Sequence, residues 1–289
     1  MLLQFIINGI IIGSIYSLVS LGFALVYNTT RIFHLAYAAL YMFAPYILLT
    51  FYIHLGIPFL LAFIVSIICT MTLSYLIEYF IYKPLNKNRS SSEVILISSL
   101  GIMIVIINVI AMLYGNETKI IESSISNSVS FGEIIITYNQ FWQIGVSFIL
   151  ITMFFIFLYN SKFGKKSRAL RDDAELFIVM GYSANRMRMQ LFLLSGFFVA
   201  AGSNLIAFDV GMDPYVGMPM LLNAIVALLI GGVGRFEAPI LGGFIIGVLQ
   251  ALSIWAFSAR WQDAITFLLL ILFLVFRPQG ILGEKQRMV

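Results

Sequence analysis

Few side chains in this 289-residue chain are of types that do chemistry. Its two histidines, His34 and His54, form no H-E-x-x-H pattern. Cys69 is alone, so neither a C-x-x-C pair nor an internal disulfide can form. No Walker A sequence and no G-x-S-x-G elbow occur. A metalloenzyme, a membrane protease and a self-contained ATPase are therefore all unsupported, and no metal site is expected. What remains is a set of polar side chains inside long apolar runs, of which Asn8, Asn108, Asn223 and Gln250 lie deepest. An amide offers donors and acceptors at once, and at membrane depth it is costly unless paired or water-lined. Two chemistries are open to each: hydrogen bonding to a passing solute, or bonding across to a neighbouring helix. Glu78 is the acidic residue placed well inside a run, and Lys83 follows five residues later. A pair at the helix end, with Lys83 snorkelling outward, is expected over proton coupling.

The elements that must position these groups follow from composition. Hydrophobic residues make up 61% of the chain and charged residues 10%, against roughly 25% charged in a soluble domain. A water-soluble enzyme is excluded because it would lack polar surface. Disorder is excluded because the chain is neither highly charged nor proline-rich. Continuous runs of about twenty apolar residues point to helices rather than to the alternating ten-residue segments of a barrel. Spans are predicted near 4–27, 36–54, 58–82, 94–114, 140–159, 188–208, 219–231, 239–257 and 264–277. The segment 219–231 is short, and His34, Tyr37, Tyr41 and Pro45 mark the stretch 28–54 as broken or re-entrant. The expectation is an all-α polytopic membrane protein of eight or nine crossings, one domain over 1–289, with no cleaved signal peptide.

Lysine and arginine bias orients the spans. Lys83, Lys87 and Arg89, then Lys162 to Arg188, then Arg277, Lys285 and Arg287 fall on one side when nine spans are threaded. Glu117, Glu122, Glu133, Asp209 and Asp213 fall on the other with Lys119 and Arg260. The basic side and the C-terminus are thus cytoplasmic. The bases are spread over several loops, which gives no nucleic-acid stripe.

The loop at about 160–187 is long, basic and helix-like. Ala174, Phe177, Ile178 and Gly181 share one helical face, with Ser167 as the expected cap, Gly181 as the stop and Ser183 capping the next span. Docking of a cytoplasmic partner and lying on lipid headgroups are both open, with Asp172, Asp173 and Glu175 weighing against the lipid. Small residues recur as Gly9/Gly13, Gly231/Gly232/Gly234 and Gly242/Gly243/Gly247. They suit close helix packing or bending, and the Gly9–Gly13 and Gly243–Gly247 stretches look alike enough to suggest an internal repeat.

Taken in order, these motifs resemble the membrane permeases of bacterial branched-chain amino acid ABC importers, closest to the shorter of the usual pair. The resemblance runs over about residues 5–283. It is carried by Asn8-Gly9-x3-Gly13-Ser14-x-Tyr16, Glu78-x3-Tyr82-Lys83-Pro84-Leu85, Ser99-Leu100-Gly101 through Asn108, and Gly164 to Gly181. The glycine sets from Gly231 on and Phe276-Arg277-Pro278-x-Gly280-x-x-Gly283 complete it. The resemblance implies a permease that alternates between outward- and inward-open states in the bacterial cytoplasmic membrane. Its partners would be a second, paralogous permease, two cytoplasmic ATPases and an extracytoplasmic solute-binding protein. ATP and magnesium would be bound by the ATPases, leaving no cofactor and no hydrolytic site in this chain. Arg168, Ala169, Asp173, Glu175, Met180 and Gly181 would couple to the ATPases. Asn8, Ser14, Tyr16, Asn108, Asn223 and Gln250 would line the path. The chain departs from the family at His34-Leu35-Ala36-Tyr37-Ala38, Asn223 and Arg171. Those departures leave urea or short amides open beside branched-chain amino acids. A self-sufficient carrier or channel is the rival reading.

Overall fold

The computed structural model describes residues 2–121, 128–131, 134–277 and 279–283. Glu122, Glu133, Pro278, Lys285 and Arg287 lie outside the described residues. The chain is helical nearly throughout. In order come α1 (Leu2–Thr30), α2 (Tyr37–Leu49), α3 (Phe59–Ile77), the short α4 (Lys83–Lys87) and α5 (Ser92–Tyr114). A hairpin follows, β1 (Ser128–Phe131) paired antiparallel with β2 (Ile134–Thr137). Then come α6 (Tyr138–Asn160), α7 (Lys162–Asp172), α8 (Ala174–Val179), α9 (Ala184–Val210), α10 (Gly217–Gly231), α11 (Ala238–Ala256) and α12 (Gln262–Phe276). Among the described residues eight helices are long and apolar enough to cross a membrane, and α10 is an apolar helix of 15 residues. All nine expected spans are therefore helices, the shortest being the one flagged by its length.

Helix α1 is apolar on every face, which is the pattern of a helix surrounded by protein. It packs on α6, α9, α10 and α11. Its small residues set how close those neighbours come. A Cβ on Gly9 would lie 2.7 Å from Val248 Cα, one on Gly13 would lie 3.0 Å from Phe244 Cα, and one on Gly247 would overlap the Gly13 backbone. The two look-alike glycine stretches are thus the two sides of a single helix crossing. Serines seal these contacts. Ser17 Oγ donates to Ile240 O at 2.9 Å and Ser20 Oγ to Ala224 O at 2.8 Å. In a membrane such small polar side chains bond across helices instead of meeting water.

The expected break falls at 31–36, and Tyr37–His54 itself is one continuous helix with Pro45 inside it, its last turn a π turn. Ile32, His34, Leu35 and Ala36 are buried although non-helical. Irregular backbone survives at membrane depth only inside protein with its polar groups met. Here the Ala36 amide donates to Ser99 Oγ at 2.9 Å, and Tyr82 Oη donates to the same hydroxyl at 2.7 Å. Tyr37 Oη donates to Val19 O at 2.6 Å, so α2 starts beside the middle of α1.

The helices place their ends in two groups. At one end Gln4 exchanges two hydrogen bonds with Ile135, and Lys119 bridges to Met212. At the other Asn28 bonds to Gly234 and Arg235, and Ile281 and Leu282 bond to Ile230 and Gly231. Every described lysine and arginine except Lys119 and Arg260 belongs to the second end.

One pairing differs from expectation. Glu78 meets Arg188 of α9, at 2.9 Å from Nε and 3.2 Å from Nη2, both side chains buried. Lys83 instead lies 4.7 Å from the centre of the Tyr79 ring. A π turn over Glu78–Tyr82 follows α3 and packs against α9. A planar guanidinium matches a carboxylate with two bonds where an ammonium offers one.

Candidate functional site

Tyr16 lies mid-way along α1, Asn223 on α10 and Gln250 on α11, and packing of these three helices brings them together. Tyr16 Oη donates to Gln250 Oε1 at 2.7 Å, and Gln262 Nε2 donates to the same oxygen at 2.8 Å. Gln250 Nε2 donates to Asn223 Oδ1 at 3.2 Å and to Thr266 Oγ1 at 2.9 Å. Both donors and both acceptor positions of Gln250 are used, and it is 1% exposed. It holds the network together and has nothing left to offer a solute. Asn223 and Tyr16 stand in front of it.

They face a cavity of about 480 Å³. Its polar lining is Asn8, Tyr16, Asn223, Gln140, Gln143 and Gln262, with Asp209 and Asp263 at its edge. Ile11, Ile12, Ile15, Ile206 and Met220 supply its apolar wall. A second cavity of about 290 Å³ adjoins it, with Ile206, Val210, Val216 and Met220 lining both. The second is lined by Tyr41, Met42, Pro45, Ala207 and Met212, with Ser203, Thr118 and Asp213. Cavities of this size with an apolar wall and a few convergent polar groups are the usual form of a small-molecule site. A further hollow of about 580 Å³ is lined mostly by aromatic and aliphatic side chains, among them Tyr52, Phe59, Phe63, Trp142, Leu205 and Phe208, with Asn139.

Of the six residues expected along a path, the fold therefore brings Asn8, Tyr16 and Asn223 to one cavity, with Gln250 directly behind. Ser14 and Asn108 are placed elsewhere. Ser14 Oγ is turned to Ile11 O of its own helix at 2.7 Å and is buried. Asn108 is exposed on the outer face of α5, its Nδ2 donating to Ile104 O at 2.8 Å. An apolar run identifies depth in a membrane but not which way a face turns, and α5 is at the periphery. Sequence reasoning passed over Gln140, Gln143, Gln262 and Asp263. They sit in the first turns of α6 and α12, where polar residues look like ordinary helix ends. Asp209 carried the one usable signal, an acidic residue without a base near it.

The basic loop is also rebuilt. It is two helices, not one. Ser161 caps α7 by accepting from the Gly164 amide at 3.0 Å, and Asp173 caps α8 by accepting from Leu176 N at 2.9 Å. Ser167, the expected cap, is buried inside α7. Ser183 caps α9 as expected. Leu170 and Phe177 are buried against the bundle, with Ala169 exposed. Ile178, expected on the same face as Phe177, is exposed together with Leu176, Val179 and Met180. Arg168 points back to the spans: Nη1 donates to Leu158 O at 2.8 Å and the guanidinium lies 5.2 Å from the Tyr159 ring centre. Glu175 is exposed on α8, and Gly181, at φ +83°, ends the turn with open space around it.

The glycines from Gly231 to Gly247 are placed at the α10–α11 corner and the α1 crossing. Gly231 packs on the Ala238 carbonyl and Gly242 on that of Ala227. Gly232 and Gly234 adopt φ +121° and +102°, which strain any side chain. Gly243 meets Ser17 of α1.

Comparison with known proteins gives one family. The family described as branched-chain amino acid transport system / permease component matches residues 5–274. The high-affinity branched-chain amino acid transport system permease protein BraD of Pseudomonas aeruginosa is 30% identical over 98% of this chain and 96% of its own length. LivH of Escherichia coli K12, with the same description, is 28% identical over 98% of this chain and 96% of its own. The solved structure of PsaBC from Streptococcus pneumoniae in complex with Fab is similar over 99% of this chain and 92% of that one, at TM-score 0.48 and 18% identity.

Proposed function

The chain belongs to the branched-chain amino acid permease family, and we propose that it forms one half of the membrane path of an ABC importer for branched-chain or closely related amino acids. The observation that carries this is the amide- and carboxylate-edged cavity in front of Tyr16 and Asn223. In this reading a binding protein delivers solute at the end holding the hairpin and Met212. A second permease, most simply a paralogue, completes the path. Two separate ATPases bind ATP and magnesium at the basic end, which is cytoplasmic by the distribution of lysine and arginine. This chain needs no cofactor of its own.

The α7–α8 segment is where those ATPases would push. Leu176, Ile178, Val179 and Met180 form an exposed apolar tip beside Glu175. Arg168 ties α7 to the end of α6, and Asp173 holds the angle between α7 and α8. Movement of the tip would reach the spans through these bonds. The rival reading, a proton-driven carrier, needs a free buried carboxylate, and Glu78 is held by Arg188. In proteoliposomes carrying this chain with the co-purified ATPases, second permease and binding protein, leucine uptake should require ATP. Val179→Asp should abolish recovery of the ATPases with the permease and abolish uptake. ATP-independent uptake by the chain alone would sink the reading.

A further inference from the structure

We propose that the hydrogen-bond network around Gln250 has a fixed direction, in which Asn223 meets the solute with N–H donors that take the carboxylate of an amino acid, and that Thr266 is the positioning residue that sets this direction. The inference rests on the amino acid importer reading and adds which group of the solute is read, and by which atom.

The direction follows from one hydroxyl. Thr266 Oγ1 lies 3.0 Å from Gln262 O of its own helix. Two oxygens at that distance need a hydrogen between them, and a carbonyl has none, so the hydroxyl donates there. Thr266 is then an acceptor towards Gln250, whose nearer atom at 2.9 Å must be the amide nitrogen. With Nε2 so placed, Oε1 faces Tyr16 and Gln262 and accepts from both. The second hydrogen of Nε2 goes to Asn223 at 3.2 Å, which must offer Oδ1. Asn223 Nδ2 is thereby turned from Gln250 towards Tyr16 and the cavity. It carries two hydrogens, and Tyr16 Oη at 3.5 Å takes at most one. Asn8 is locked in the same sense by a different anchor. The Ile135 main chain donates to Gln4 Oε1 and accepts from Gln4 Nε2, which fixes Gln4, and Nε2 also donates to Asn8 Oδ1 at 3.1 Å.

Both asparagines of the cavity wall thus give their oxygens to the protein and keep N–H groups for an occupant. No lysine or arginine is among the described lining residues, and Gln140 and Gln143 are hydrogen-bonded to Asp209. A carboxylate entering the cavity therefore finds its donors at the asparagines, and such charge-assisted bonds are the strong ones. Asp263 lines the same cavity and repels a lone anion, whereas an amino acid is a zwitterion with no net charge.

Thr266→Val keeps the shape of the side chain and removes the anchor. The original network then leaves one N–H of Gln250 unmet. The reversed one meets the whole amide, with Oε1 accepting from Asn223 and Nε2 donating to Tyr16 and Gln262, so reversal is favoured about fivefold or more. Asn223 then turns Oδ1 to the cavity. Asn223→Asp reaches the same end directly: it still accepts from Gln250 but offers the cavity no amide donor. The complete importer is reconstituted in proteoliposomes with saturating, leucine-loaded binding protein. Leucine taken up per ATP hydrolysed is measured for each variant, so loss of folded protein cancels. The ratio should fall about tenfold or more in Asn223→Asp, the worth of a hydrogen bond to a charged group, and about fivefold in Thr266→Val. Thr266→Ser, which keeps the hydroxyl, should retain most of it. A wild-type ratio in Asn223→Asp or in Thr266→Val, or a Thr266→Ser variant as impaired as Thr266→Val, overturns the assignment while leaving the importer intact. Absence of ATP-driven leucine uptake by the wild-type importer overturns both.

Discussion

Replacing Glu78 by glutamine removes the charge that faces Arg188 and little else. The pair is buried, with Glu78 1% exposed and two bonds of 2.9 and 3.2 Å to the guanidinium. Glutamine still accepts one of those bonds, but the guanidinium then sits near the N-terminal end of α9 without a counter-charge. Lys83 gives no relief, because it is a cation itself and is stacked on Tyr79. Breaking a buried pair by removing one partner costs about 3–5 kcal/mol, most of it the stranded charge. Removing both partners is different: a well-packed apolar replacement is often neutral or stabilising. The expected order of stability is therefore wild type and Glu78→Leu/Arg188→Met within about 1 kcal/mol of each other, and Glu78→Gln about 3–5 kcal/mol below. Unfolding by titration with sodium dodecyl sulfate in mixed micelles, followed by circular dichroism, measures this. A Glu78→Gln variant as stable as wild type would refute the argument. So would a double variant no better than the single one, since the cost would then lie in packing rather than in charge.

Two contrasts probe the membrane interior. Gly247→Leu should leave no folded protein after detergent extraction, because its side chain would occupy the Gly13 backbone, whereas Gly101→Ala, which meets nothing within 4 Å, should extract normally with stability unchanged or raised by up to about 1 kcal/mol. Equal monodispersity of the two by size-exclusion chromatography would contradict the crossing geometry. Asn108→Leu should leave the rate of ATP-driven leucine uptake unchanged, since its amide is turned away from the cavity and bonded to Ile104 O; a fall of tenfold or more in that rate would return Asn108 to the path.

The membrane class, the nine apolar segments and the segregation of charge were determined by composition and run length, because a bilayer demands about twenty apolar residues per crossing and holds bases on one side. The ordered motifs, spread from Asn8 to Gly283, were enough to place the chain in its family. Facing was not legible. All residues of a buried run read alike, so Asn108 and Asn223 were indistinguishable until α5 was placed at the rim and α10 beside α1. Glu78 had a sequence neighbour in Lys83, but its partner came from α9, over a hundred residues away, because a guanidinium matches a carboxylate with two bonds. Gly9, Gly13, Gly243 and Gly247 read as two similar stretches, and only the packing made them one contact, since the absence of a Cβ on each side matters only where backbones touch. The cavity itself is the property most removed from the sequence. Gln140, Gln262 and Asp263 stand at ordinary helix starts, and they become a lining because tertiary structure brings the ends of α6, α9 and α12 around Tyr16.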